Sequence, residues 1–244
     1  MGTKIRENEK GIAHLLLIVL GVVVIAGVGV VGWRVAANHK TNTSTTGSTA
    51  TKSTASDSSC LAIYHDSRIC NFAAFSTTFN KTAYTAALTI TQNGTTNSAT
   101  LKSDGQGNTE LTTTSSGETL NAITLDNVEY VQDNGTGPWI EYDTGASAAT
   151  TNPTSSMNIG VGSAGISFKY IDTEACGSLT CYKYQVTDAT TPSATQYVWF
   201  DNSSYKLREW QYNDGSGNTT TMTVTYTAVN ITKPSPVENI SASE

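Results

Sequence analysis

QYVWFDNSSYKLREWQY, residues Gln196–Tyr212, decides the fold. Val198, Trp199 and Phe200 are β-branched and aromatic residues that suit a pleated surface. Asp201-Asn202-Ser203-Ser204 follows, four short polar side chains that bond the backbone locally and turn the chain. Leu207, Trp210 and Tyr212 then reopen an apolar pattern. The stretch reads as a β-hairpin with a polar loop. It holds the densest cluster of large aromatics, which places it in the middle of a sheet.

The same texture extends in both directions. Upstream, Ala83–Thr91, Ser98–Ser103 and Asn108–Ser115 are Thr-rich runs separated by Asn93-Gly94 and Asp104-Gly105-Gln106-Gly107, spacings that match antiparallel hairpins. Thr119–Leu125, Val128–Gln132 and Trp139–Asp143 continue the series. After Gly165 strands resume at Lys169–Thr173, Tyr182–Thr187, Tyr197–Asp201, Lys206–Tyr212 and Thr219–Val229. In the last of these Met222, Val224 and Tyr226 alternate with threonines, the pattern of a sheet that is wet on one side. Gly145–Gly165 carries few large apolar groups and is too long for a simple turn. The tail Ile231–Glu244, with Pro234 and Pro236, reads as frayed. In front of the strands, Cys60–Phe79 spaces Leu61, Tyr64, Phe72, Phe75 and Phe79 near helical intervals, with a break expected at His65–Arg68 and a cap at Asp66 or Ser67. The fold class is mainly β with some α: one large curved antiparallel sheet carrying short helices.

Val128-Glu129-Tyr130-Val131, a Gly-rich turn and Pro138-Trp139-Ile140 resemble a recurring hairpin of the LolA/LppX-like lipoprotein-carrier superfamily. Val198-Trp199-Phe200-Asp201 followed by Leu207-Arg208 is similar to that family's Trp-bearing strand, Asp turn and return strand. Tyr226, Val229-Asn230-Ile231 and Pro234 resemble its closing strand. The resemblance covers Phe72–Pro236. It implies a half-barrel whose concave face is covered by helices and holds acyl chains or lipoprotein. This chain departs from the family in its short, Gly/Ser-rich insertion and in the modest apolar content of the groove-lining positions.

The N-terminal part is organised differently. Leu15–Trp33 is a run of 19 residues without a charge. As a helix it spans about 28 Å, close to the hydrocarbon thickness of a bilayer. Trp33 stands where an interfacial aromatic belongs, and Lys4, Arg6 and Lys10 before the run favour a cytoplasmic N-terminus over Arg34 and Lys40 after it. The rival is a cleaved signal peptide, but the run is long for one and Val35-Ala36-Ala37 is the nearest approach to a cleavage site. A pilin would begin with a similar helix and shares Lys10-Gly11, but Leu16 stands where a pilin carries Glu. The Thr/Ser-rich stretch after the run cannot bury enough apolar area to order itself and reads as a tether. The expected organisation is a cytoplasmic end (1–14), a transmembrane helix (15–33), a tether (34–59), an extracytoplasmic domain (60–236) and a tail (237–244).

From Ser58 onward there are 8 Lys and Arg against 17 Asp and Glu, a net of −9. Such a surface repels phosphate backbones, which excludes nucleic acid as a partner class. The partners expected are the membrane, through the anchor, and a lipid or lipidated molecule; a protein partner stays undetermined.

Four cysteines fall in two close pairs, Cys60/Cys70 and Cys176/Cys181. Outside the membrane, disulfides are the default. The zinc alternative lacks the usual C-x2-C spacing. Ser178-Leu179-Thr180-Cys181 resembles the nucleophile strand of sortases but is one residue short, and His65 is the lone His of the domain that would serve as base. Acidic turns at Asp104–Glu110, Asp126–Asp133 and Asn213–Asn218 lack full calcium-loop spacing. No metal or other cofactor is expected. The aromatics Tyr130, Trp139, Tyr142, Trp199, Trp210 and Tyr212 either line a ligand face or fill the core. The function expected is non-enzymatic binding or carriage of a lipid or lipoprotein by a membrane-anchored extracytoplasmic domain. The alternative is an adhesion or envelope-interaction module with a filled β core and no cavity.

Overall fold

The computed structural model describes residues 58–143, 161 and 165–239. The apolar run 15–33, the tether up to residue 57, nearly all of the 145–165 insertion and the last five residues lie outside them. Among the described residues no helix is long and apolar enough to cross a membrane.

The leading helical segment breaks where Asp66 and Ser67 predict. Helix α1 runs Ser58–Tyr64 and α2 Ser67–Ser76, with His65 between them at a φ of 52°. Asp66 is extended, and its Oδ1 accepts the Arg68 backbone N–H at 2.9 Å. That satisfies one of the donors a helix start leaves orphaned. On one continuous helix Cys60 and Cys70 would stand about 15 Å apart. The break brings their Cα atoms to 5.7 Å, and they are bonded. A short 3-10 turn, Phe79–Lys81, leads into the sheet.

The strands form two meanders. The first is β1 (Tyr84–Gln92), β2 (Thr95–Ser103), β3 (Thr109–Ser115), β4 (Glu118–Leu125), β5 (Val128–Asp133) and β6 (Trp139–Asp143). The second is β7 (Ile166–Cys176), β8 (Leu179–Asp188), β9 (Thr195–Asp201), β10 (Leu207–Asn213) and β11 (Thr219–Thr225). A short β12 (Val237–Asn239) follows. They make one large open curved sheet in the order β12-β6-β5-β4-β3-β2-β1-β11-β10-β9-β8-β7. The meanders are not joined at β6 and β7, which follow one another in the chain. They meet at an antiparallel seam of β1 and β11, from Thr85↔Thr225 to Thr91↔Thr219.

Two hairpin loops share the pattern Asp-Gly-x-Gly-Asn, at Asp104–Asn108 and Asp214–Asn218. In each, the Asp carboxylate accepts the backbone N–H two residues on, at 2.7 Å in both, and the N–H and side-chain amide of the Asn. These acidic turns therefore spend their carboxylates on their own backbone. A Cβ at Gly105 would meet the Lys81 backbone at 2.9 Å, so the loop packs directly on the 3-10 turn.

The tail differs from its reading. β11 ends at Thr225, Ile231 is buried, and Val237–Asn239 pairs in parallel with Trp139–Glu141. Proline lacks an amide donor, yet its carbonyl still accepts: Pro236 O takes the Trp139 N–H at 2.9 Å. Ile231 joins Ile123 and Tyr130 in a small core, with Leu125, Val128, Trp139, Val229 and Val237 around it.

Candidate functional site

Strand alternation and register sort the side chains onto two faces. Tyr84, Ala86, Leu88 and Ile90 of β1 point to one face and are buried. The helices lie on this face. Phe72 of α2 stacks on Phe200 with centroids 4.9 Å apart, Tyr184 stacks on the same ring at 5.2 Å, and Phe79 stacks on Tyr84 at 4.5 Å. Tyr64 meets Phe168 edge-on at 5.5 Å. The Tyr184 hydroxyl donates to Asp66 Oδ2 at 2.6 Å, and Arg68 holds the same carboxylate while lying 4.3 Å over the Tyr170 ring. Burial pushes the Asp66 carboxyl up, but the hydrogen bonds from Arg68 and Tyr184 outweigh it and hold the group below its ordinary range. The same network raises Tyr184, chiefly through burial. One anchor thus fixes the N-terminus of α2 to β8.

These helical contacts fall on β1 and on the second meander. On the same face, the first meander carries an apolar row set by register: Val224–Ala86–Leu101–Leu111–Ala122–Val131–Ile140. A second row runs beside it, Met222–Leu88–Ala99–Thr113–Leu120. The longer row crosses seven strands. At about 4.8 Å per strand its six gaps come to about 29 Å. Leu111, Leu120, Ala122 and Ile140 are only partly buried, although Leu101 and Val131 are buried. Alanine at 86, 99 and 122 keeps the floor low between larger neighbours. The result is an apolar strip on the face that carries the helices, called the trough below. At its edge Glu129 is half-buried, and burial pushes its carboxyl up.

The expected aromatics divide between the faces. Trp210 and Tyr212 stand on the helix-bearing face, their rings stacked 6.0 Å apart. Trp199 is buried on the opposite face, where its indole N–H donates to Glu174 and Lys183 Nζ lies 4.7 Å over the ring. The Trp199 hydrogen bond, more than the nearby Lys183, holds Glu174 below its ordinary range. Tyr130 and Trp139 belong to the small core on that opposite face, with Lys233 Nζ 5.3 Å over the Tyr130 ring. Tyr142 pairs with Glu129 in the backbone ladder; its side chain lies outside the described residues.

Cys176 and Cys181 are bonded across the β7–β8 turn, as are Cys60 and Cys70, so neither the thiolate that sortase-like chemistry needs nor one for zinc is present. Among the described residues no group of three or more His, Cys, Asp or Glu is placed to hold a metal ion. Two residues that the sequence reading left without a role, Lys206 and Arg208, stand at the helix-bearing face against Tyr226. Their signal in sequence is faint: two cations flanking Leu207 in an acidic domain.

No protein-family model and no curated protein matches the chain. Among solved structures it is similar to the Mycobacterium tuberculosis lipoprotein LppX, with 12% identity and a TM-score of 0.44 over 72% of this chain and 98% of that one. It is also similar to the MucA/MucB complex of Pseudomonas aeruginosa, at 10% identity and a TM-score of 0.37 over 68% of this chain and 59% of that one. The chain therefore spans less than two thirds of the length of the chain it matches there. A LolA superfamily protein from Nitrosomonas europaea is similar at 8% identity and a TM-score of 0.25, over 64% of this chain and 89% of that one. At these identities the likeness is one of fold.

Proposed function

We propose that the domain binds an acyl-bearing molecule, a lipid or the lipid of a lipoprotein, along the trough, and that it does so without catalysing a reaction. The observation that carries this is the apolar row of seven strands on the helix-bearing face, with its floor of small residues and its partly buried middle. Acyl chains bind where a dry, concave apolar lining is already formed. The row, at about 29 Å, is as long as the hydrocarbon core of a bilayer is thick, about twice the reach of a chain in one leaflet. The apolar run Leu15–Trp33 supports a single membrane anchor with the domain on the outer side, and two disulfides support an oxidising compartment.

A second reading has one observation in its favour. The face opposite the trough is lined with hydroxyls and amides, linked in part as Thr112 to Asn121 to Gln132. Such a surface suits contact with a protein or glycan.

The test is lipid carried by the purified full chain compared with an Ala122→Phe variant, which fills the trough from its floor. Organic extraction and mass spectrometry should find a bound acyl species in the native chain and a severalfold loss in the variant, with both disulfides intact in each. Equal lipid in the two chains refutes trough binding and leaves the hydroxyl-lined face as the functional surface.

A further inference from the structure

All eight Lys and Arg of the domain lie among the described residues. Four of them, Arg68, Lys102, Lys183 and Lys233, are in ion pairs with carboxylates. Lys206 and Arg208 are not, although acids outnumber bases about two to one. Both cations lie against one ring: Lys206 Nζ and Arg208 Cζ are each 4.9 Å from the centre of Tyr226. Arg208 Nε and Tyr226 Oη are buried, and neither meets a hydrogen-bond partner among the described residues.

The backbone is built to put Arg208 there. The β9–β10 register slips between Leu207 and Glu209, which makes Arg208 the extra residue of a bulge. A bulge re-aims a side chain that strict alternation would send elsewhere. Leu207 pairs with Phe200, whose ring carries the Phe72 stack on the helix-bearing face, and Arg208 reaches Tyr226 on that face. Tyr226 itself is walled by Phe75 and Phe79, with ring centres at 5.8 and 6.2 Å. It lies two residues beyond Val224, where the apolar row begins.

Arg208 is partly buried, and its Nε–H, shut off from water, lacks a partner that such a donor normally has. Arginine's planar fork suits carboxylate or phosphate oxygens. We propose that Arg208 and Lys206, with the Tyr226 hydroxyl, form a site for an anionic headgroup, carboxylate or phosphate, at the end of the trough. The acyl chain of the same ligand leaves this site along the row that starts at Val224. The inference rests on the trough reading and adds a polarity to it: the ligand is acidic, and its acid end sits beside the helices.

The experiment uses the full chain in a non-ionic amphipol. Dodecanoate and dodecanol, matched in length, are titrated against a bound neutral naphthyl fluorophore. Charge-assisted hydrogen bonds of this kind predict that dodecanoate binds about ten- to hundredfold more tightly than dodecanol. Arg208→Gln should bring dodecanoate down to the dodecanol level while leaving dodecanol unchanged, and Arg208→Lys should restore part of the difference. Should Arg208→Gln fail to fold, Lys206→Gln takes its place, with a severalfold loss for dodecanoate alone. Inorganic phosphate, added alone and followed by thermal unfolding, separates a headgroup from a free anion. No preference for dodecanoate, with phosphate stabilising the native chain but not Arg208→Gln, reassigns the site to free phosphate. No preference and no phosphate effect overturns the anion site and leaves the trough standing. Binding of neither amphiphile overturns the trough; a phosphate effect then keeps the anion site, and its absence removes both.

Discussion

Replacing Asp201 with Asn should remove a pH dependence that the fold carries in one carboxylate. Asp201 is 4% exposed and ends β9. Its Oδ1 accepts the Ser203 N–H at 3.1 Å, the Ser203 hydroxyl at 2.6 Å and the Ser204 N–H at 2.6 Å. Burial alone would raise its pKa, but the Ser203 and Ser204 hydrogen bonds overcome that and bring it from 3.8 to about 2. A carboxylate depressed in the folded state stabilises the fold above its unfolded pKa, and the contribution is lost as pH falls through the folded value. The window is therefore about pH 4 to pH 2, and the loss across it about 2 kcal/mol. Asn keeps an acceptor at the same place but cannot titrate. The assay is urea unfolding of residues 58–244, disulfides intact, at pH 6 and at pH 2. The native domain should lose about 2 kcal/mol more between the two than Asp201→Asn does. Equal losses would refute the reasoning, since they would mean that Asp201 titrates alike in the folded and unfolded chains.

Two further outcomes test the packing. Gly105→Ala should cost about 1–3 kcal/mol more than Gly94→Ala in urea unfolding, because both positions have positive φ but only at Gly105 would the new methyl meet backbone. Ile231→Ala should cost roughly 2–5 kcal/mol, as expected for a buried Ile in a real core rather than a fraying tail, and a change under 0.5 kcal/mol would contradict the packing of Ile231 on Tyr130.

The helix break, the hairpins and the two cysteine pairs were legible because each rests on local chemistry. Asp66 caps within two residues, and Asn93-Gly94 turns the chain on the spot. The site was harder to read because it depends on pairing across the chain. β5 places apolar Tyr130 and Val131 side by side, one on each face, so its alternation does not say that Val131 looks toward the trough and Tyr130 away from it. Trp199 is paired with Glu174, 25 residues upstream, and that contact exists only once β7, β8 and β9 are in register. The bulge at Arg208 breaks the period by which a face is assigned. The prolines of the tail signal a missing donor, and say nothing of a carbonyl that still accepts from Trp139.

The β1–β11 seam has a consequence for how the chain comes into being. Thr85 and Thr225 are 140 residues apart, so the partner of an early strand is among the last to be synthesised. At about 5–20 residues per second, β1 waits on the order of ten seconds for β11. During that interval β2 can pair with one side of β1, while the other side presents free amides and carbonyls beside Ala86, Leu88 and Ile90. An open edge of that kind recruits whatever strand is nearest, including the same strand of a neighbouring nascent chain.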